Sequence, residues 1–105
     1  MNWIDVAPAA EIAPGQWRTV DVEGRLVAVF NLDGEFFAIE DICTHDGGEL
    51  TGGDIEDGCI ACPRHGARFD IRTGAVLSPP AYEDVLTYPV RVAEGRVQVG
   101  NESGG

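Results

Sequence analysis

The sequence contains no lysine, no long apolar run and no pattern typical of a long helix. All 7 basic residues are arginine and stand against 18 acidic residues, which leaves a formal net charge of −11. Nucleic acid and anionic membranes are poor partners for such a surface, because their phosphate groups repel it. A bilayer-spanning helix needs about 20 apolar residues, and the N-terminal segment lacks the basic start and apolar stretch of a signal peptide. We therefore expect a soluble cytoplasmic protein with no membrane or nucleic-acid partner.

Strand signals dominate what is present. A length of 105 residues with 44% apolar content predicts one globular domain, residues 1–105. The segments GQWRTVDV, RLVAVFNL, EFFAIEDI and LTYPVRVA are rich in β-branched and aromatic residues. Tight turns are predicted where an acidic residue precedes glycine between such runs, at Glu23-Gly24, Asp33-Gly34, Asp57-Gly58 and Glu94-Gly95. This pattern predicts an all-β sandwich or barrel with a flexible tail at 101–105.

Reactive side chains are few and gathered in two short stretches. The chain has two histidines and three cysteines. Cys43 and His45 lie in CTHDGGEL, and Cys62 and His65 lie in CPRHGARFD. In a cytoplasmic protein, cysteines near histidines bind metal or perform redox chemistry more often than they form disulfides. These four residues are therefore the candidate metal ligands.

The spacing favours two metal atoms over one. A C-x-H or C-x-x-H loop places its cysteine and histidine on two neighbouring atoms more easily than on a single ion. Two cysteines on one iron and two histidines on the other would give a two-iron cluster with asymmetric ligation, and glycines beside the histidines would let backbone N–H groups approach its sulfides. A single zinc with two cysteines and two histidines is the alternative. Cys59 forms a C-x-x-C with Cys62, but no βαβ pattern surrounds it, so we interpret Cys59 as a buried structural thiol.

The sequence resembles the Rieske-type 2Fe–2S proteins, and the resemblance is close over residues 43–80. It is carried by the two-part motif C-T-H…C-P-x-H-G, by the glycine-rich first loop and by the Pro79-Pro80 segment that follows the second loop. The resemblance implies an antiparallel β-sandwich with an inserted cluster-binding β subdomain, about 42–82. It implies that one 2Fe–2S cluster is held by Cys43, His45, Cys62 and His65, with His45 and His65 outermost as the electron exit. The residues that it places around the cluster are Gly47, Gly48, Pro63, Arg64, Gly66, Ala67, Phe69, Pro79 and Pro80. Pro79 and Pro80 could instead form a simple turn.

The residues around the ligands separate branches of this family. Quinol-oxidising members carry a disulfide at the positions of Gly48 and Arg64, and hydroxyl donors to the cluster sulfurs at Ala67 and Phe69. The missing hydroxyl donors leave more negative charge on the cluster sulfurs, which predicts a reduction potential near the low end of the Rieske range, roughly −150 mV. The sequence thus resembles the soluble ferredoxins of bacterial aromatic-ring-hydroxylating dioxygenases, which serve aromatic hydrocarbon catabolism.

The resemblance implies an electron carrier, expected to be a monomer, and not an enzyme. Its partners would be an NAD(P)H-dependent flavoprotein reductase and a terminal oxygenase. No histidine remains for the mononuclear iron site that the oxygenase itself requires. The alternative is a Rieske-like small subunit of an NADH-dependent nitrite reductase, a group in which many members lack cluster ligands. Asp46, Glu49, Glu83 and Asp84, together with Arg64 and Arg68, are candidate docking charges or simply solvated loop residues.

Overall fold

Ten strands and one short 3-10 turn, Ala9–Glu11, make up the secondary structure of residues 1–103, the part of the chain that the computed structural model describes. Within these residues, no helix has the length and apolar character that a membrane crossing requires. The strands are β1 (Trp3–Pro8), β2 (Trp17–Val22), β3 (Arg25–Leu32), β4 (Glu35–Glu40), β5 (Ile55–Glu56), β6 (Cys59–Ala61), β7 (Arg68–Asp70), β8 (Thr87–Tyr88), β9 (Val90–Ala93) and β10 (Arg96–Gly100).

The strands form three antiparallel sheets, which confirms the predicted all-β class. The first sheet has the order β1-β10-β9 and the second has the order β2-β3-β4-β8. The third sheet, β5-β6-β7, is built entirely from the chain that runs between β4 and β8. This arrangement is a two-sheet body with a small third sheet inserted in the middle of the sequence.

The turns join neighbouring strands as their sequences predict. In all four acidic-glycine pairs, both residues have positive φ, between 52° and 95°. A two-residue turn of this kind matches the right-handed twist of the strands that it connects, and glycine adopts its second position without strain. These turns therefore fix the pairing of β2 with β3, β3 with β4, β5 with β6 and β9 with β10.

Two segments differ from the expectation. The run LTYPVRVA is not one strand, because β8 pairs with β4 whereas β9 pairs with β10. Pro89 lies between them, and proline has no N–H with which to continue a ladder. β1 was not predicted at all, although it pairs with β10 along most of its length.

Two buried clusters divide the core. One lies between the first two sheets and includes Val27, Val29 and Val97. The other joins β3 and β4 to the inserted sheet and contains Phe30, Phe69, Cys43 and Cys62. The candidate site thus rests on the second cluster and is backed by rigid strands.

The C-terminal segment is partly held by the domain. Asn101 donates its backbone N–H to the Asn2 carbonyl at 2.9 Å, and its side chain donates to Glu23 at 2.9 Å. Glu102 and Ser103 are exposed. The predicted tail at 101–105 therefore starts from an anchored residue, and its last two positions lie outside the described residues.

Candidate metal centre

The first site loop, residues 43–48, is closed by its own backbone. The N–H of Gly47 donates to the Cys43 carbonyl at 2.8 Å, and the N–H of Cys43 donates to the Gly48 carbonyl at 2.7 Å. Gly47 has φ +77°, a conformation that side-chain-bearing residues rarely adopt. The loop therefore holds Cys43 inward and leaves His45 at its outer turn, where its side chain is exposed.

The second site loop, residues 62–67, repeats this closure. The N–H of Gly66 donates to the Cys62 carbonyl at 2.9 Å, and the N–H of Cys62 donates to the Ala67 carbonyl at 2.7 Å. Gly66 has φ +78°. The two loops have the same backbone design, although the histidine stands two residues after the cysteine in the first loop and three residues after it in the second.

The loops converge and sort their side chains by type. Cys43 and Cys62 are buried, at 0% and 2% exposure, and their sulfur atoms lie within 4.8 Å of each other. His45 and His65 are exposed, with ring centroids 5.1 Å apart and planes at 89°. The sulfur donors therefore lie on the protein side of the site and the imidazoles on the solvent side. Two thiol and two imidazole donors in this arrangement fit a two-iron cluster with a different ligand pair on each iron.

Burial and backbone donors act on both thiols. Burial raises the pKa of the Cys43 thiol, although the backbone N–H groups of Asp46 and His45 act to lower it. Burial acts the same way on Cys62, where the backbone N–H groups of Arg64 and His65 oppose it and bring the pKa below the ordinary value. Both loops thus supply the backbone donors that a metal-bound thiolate requires.

Asp46 has a role that the sequence analysis missed. Its carboxylate lies within 4.8 Å of the two cysteine sulfurs and, in a second grouping, of the two histidine nitrogens. It accepts hydrogen bonds from the Arg64 guanidinium at 2.5 and 3.1 Å. The Arg64 guanidinium holds the pKa of the Asp46 carboxyl well below its usual range. Arg64, a candidate docking charge, is therefore paired with Asp46 and not free.

Asp41 was also missed. It is 4% exposed, and its carboxylate accepts hydrogen bonds from the Leu50 N–H at 2.7 Å, the Thr51 N–H at 2.9 Å and the Thr51 hydroxyl at 2.7 Å. It thereby ties the end of β4 to the chain that leaves the first loop. The only hint in the sequence is an acidic residue at the end of the apolar segment EFFAIEDI.

A third segment borders the site. Val76 forms an isolated bridge with Phe69, and the Thr44 hydroxyl donates to the Glu83 carbonyl at 2.7 Å. Pro79 is exposed and Pro80 is half-buried, and a cis peptide joins them. Residues 76–83 are thus attached to both site loops or their strands, and a cover formed by the two prolines stays a prediction.

The remaining predicted surroundings fall into two groups. Ala67 and Phe69 are fully buried in the same core cluster as the two cysteines, and neither offers a hydroxyl. Gly48 lies against Arg64, so close that a Cβ on Gly48 would come within 2.6 Å of the guanidinium. The positions that carry a disulfide in another branch of the resembled family therefore face each other here without a covalent link. Pro63 is exposed.

Two other expectations are corrected or refined. Cys59 is half-buried, not buried; it is the first residue of the short strand β6, and its thiol lies 3.7 Å from the Asp57 carbonyl. Asp84 is exposed, and its carboxylate accepts the Val76 N–H at 2.9 Å, so it also has a structural contact. Glu49, Glu83 and Arg68 are exposed.

Comparison with known proteins gives a consistent result. Residues 2–89 match the family model described as Rieske [2Fe-2S] domain. The chain is similar to the ferredoxin component of the naphthalene 1,2-dioxygenase/salicylate 5-hydroxylase systems of a Ralstonia species, with 38% identity over 96% of this chain and 97% of that protein.

Two solved structures are also similar. The ferredoxin of carbazole 1,9a-dioxygenase from Nocardioides aromaticivorans IC177 has 31% identity and a TM-score of 0.91, and the match covers 97% of this chain and 100% of that chain. A chain in the complex of reduced oxygenase and oxidised ferredoxin of carbazole 1,9a-dioxygenase has 35% identity and a TM-score of 0.92. The match covers 98% of this chain and 96% of that chain.

Proposed function

The chain belongs to the Rieske [2Fe-2S] domain family, and on that premise we propose that it is the ferredoxin of a bacterial aromatic-ring-hydroxylating dioxygenase system. It carries single electrons from an NAD(P)H-dependent flavoprotein reductase to a terminal oxygenase. The observation that carries this proposal is the sorting of the site: two buried cysteines beneath two exposed histidines, on two loops of the same backbone design.

The four proposed ligands are Cys43 and Cys62 for one iron and His45 and His65 for the other. When bound, a Rieske 2Fe–2S cluster supplies a one-electron couple at a higher potential than a cluster with four cysteines. The chain contributes a rigid cage, because β3, β4 and the inserted sheet pack beneath the loops. His45 and His65 are exposed, so their ring edges are the proposed exit for the electron. This proposal treats residues 1–105 as one domain with a cluster-binding subdomain at about 42–82.

The surface suits a carrier that binds and leaves quickly. The net charge of −11 favours encounter with a positively charged partner face, and electrostatic steering raises association rates more than it raises affinity. We propose that the protein acts as a monomer in the cytoplasm, where a reductase and an oxygenase would both reach it. Relatives named as ferredoxin components of dioxygenase systems support this role over that of a nitrite reductase subunit.

The decisive experiment is a redox titration of the purified protein followed by EPR of the reduced state. A one-electron couple near the low end of the Rieske range, roughly −150 mV, with the low average g-value of histidine-ligated clusters, is expected. A colourless, redox-silent protein that contains one zinc would overturn the proposal and leave a zinc-stabilised interaction module.

The ligand assignment has a matched control within the chain. Cys43→Ser and Cys62→Ser should each abolish the visible absorption of the cluster. Cys59→Ser should leave it intact, because Cys59 lies outside both groups of converging donors. Loss of the cluster in Cys59→Ser, with retention in either of the other variants, would show that the wrong cysteines have been assigned.

A further inference from the structure

The contact between Asp46 and Arg64 joins the two site loops through side chains. Arg64 donates Nε–H to one carboxylate oxygen of Asp46 at 2.5 Å and Nη2–H to the other at 3.1 Å. The same Nη2 reaches the Glu49 carbonyl at 3.0 Å. Asp46 in turn accepts the Gly48 N–H at 2.9 Å. One guanidinium of the second loop is therefore held at three oxygen atoms of the first loop and its continuation.

The sequence is arranged to permit this contact. A Cβ on Gly48 would lie 2.6 Å from the Arg64 guanidinium, so any larger residue would displace it. The planar fork of arginine matches the two oxygens of a carboxylate, which a lysine could not do. With 38% and 20% of their side chains exposed, Arg64 and Asp46 are more shielded than the other bidentate pair, Arg96–Asp5, at 44% and 46%.

The same contact places a balanced pair of charges beside one proposed ligand. An oxygen of Asp46 lies 4.0 Å from Nε2 of His65. Alone, this carboxylate would add negative charge next to the histidine side of the site and would disfavour reduction. Alone, the Arg64 guanidinium would favour reduction by the reverse argument. Paired, the two charges largely cancel.

We propose that the Asp46–Arg64 ion pair is a clasp with two roles: it locks the two cluster-binding loops together, and it sets the charge that the histidine side of the centre experiences. Both residues are positioning residues. The proposal rests on the proposed function, since it requires a Rieske cluster between the loops. It assigns to a non-covalent contact the joining of loops that a disulfide provides in another branch of the family.

The charge role predicts shifts of opposite sign. Asp46→Asn removes the negative charge and should raise the reduction potential. Arg64→Gln leaves the carboxylate uncompensated and should lower the potential. The double variant should return close to the wild-type value. A contact with a purely structural role would not move the potential in two directions.

The locking role is separated by two variants that keep the charges. Arg64→Lys keeps the positive charge but loses the fork, and Gly48→Ala displaces the guanidinium. Both keep a positive charge near Asp46, so they should shift the potential much less than Arg64→Gln does. Both should shorten the lifetime of the cluster, measured as bleaching of its visible absorption under air, roughly tenfold. Asp5→Asn is the matched control, because it breaks a bidentate pair of the same type away from the site. It should change neither the potential nor the lifetime.

The outcomes are distinct. Potential shifts of the same sign in Asp46→Asn and Arg64→Gln, or no shift in either, would overturn the charge role. Wild-type lifetimes in Arg64→Lys and Gly48→Ala, with native circular dichroism, would overturn the locking role. A wild-type protein without any 2Fe–2S cluster would overturn the proposed function and the clasp together, whereas a wild-type protein with a normal cluster confines a failure to the clasp.

Discussion

Replacing Asp41 tests how the protein holds the chain that leaves the first site loop. The Asp41 carboxylate is 4% exposed and accepts three hydrogen bonds, two of them from the backbone N–H groups of Leu50 and Thr51. Asp41→Ala removes all three acceptor contacts. Asp41→Asn keeps the oxygen that both N–H groups use, and its amide can donate to the Thr51 hydroxyl.

The expected magnitudes follow from burial. An unpaired buried N–H costs about 1–3 kcal/mol. Leu50 is fully buried, whereas Thr51 is half-buried and partly reached by water. For Asp41→Ala we therefore expect a local loss of about 2–4 kcal/mol, and for Asp41→Asn a loss of about 1 kcal/mol, since its hydrogen bonds are no longer charge-assisted.

Hydrogen–deuterium exchange with mass spectrometry on the iron-loaded protein measures this local loss of stability without global unfolding. For a peptide that covers residues 48–53, a loss of about 2–4 kcal/mol corresponds to exchange that is roughly 30- to 1,000-fold faster in Asp41→Ala, and about fivefold faster exchange is expected in Asp41→Asn. Glu35→Ala, at an exposed position at the start of β4, is the control and should leave this peptide unchanged. Equal effects of alanine and asparagine would refute the reasoning, because the charge and not the hydrogen bonds would then hold the loop.

Three further predictions concern the centre as an electron carrier. Phe69→Tyr should raise the reduction potential, because its new hydroxyl can donate a hydrogen bond to the cluster. A bond that is about 1.4 kcal/mol stronger in the reduced state corresponds to a rise of about 60 mV. A potentiometric titration that shows no rise would exclude such a donor. His65→Cys should retain the cluster poorly and lower its potential, since a thiolate adds negative charge; an unchanged or raised potential would contradict the ligand assignment. The rate of electron transfer to a partner should fall as salt rises, because the Debye length is only about 10 Å at 0.1 M, and a salt-independent rate in stopped-flow measurements would remove the net charge of −11 from the docking step.

The parts of the fold that depend on local chemistry could be predicted from the sequence. The acidic-glycine turns are specified by two residues each, and all four have the expected positive φ. The strands that they connect alternate or are apolar enough to be recognised. The division at Pro89 and the pairing of β1 could not be read in this way, because each depends on a partner strand distant in the sequence.

The candidate site divides similarly. Chemistry-bearing residue types in a specific spacing were enough to select Cys43, His45, Cys62 and His65. The contributions of Asp46 and Asp41 were hidden, because an aspartate in a loop has the same letter whether it is solvated or holds two segments together. Asp46 finds its partner across 18 positions of the chain, and no local pattern encodes that distance.

The self-closure of the two site loops has a consequence for how the centre is assembled. The four backbone hydrogen bonds that shape the loops at Cys43 and Cys62 join protein atoms to protein atoms, and none needs iron or sulfide. The backbone of each loop is therefore shaped by bonds that the chain makes with itself. A cluster has to contribute only its bonds to the four ligand side chains, and none of the bonds that define the loops.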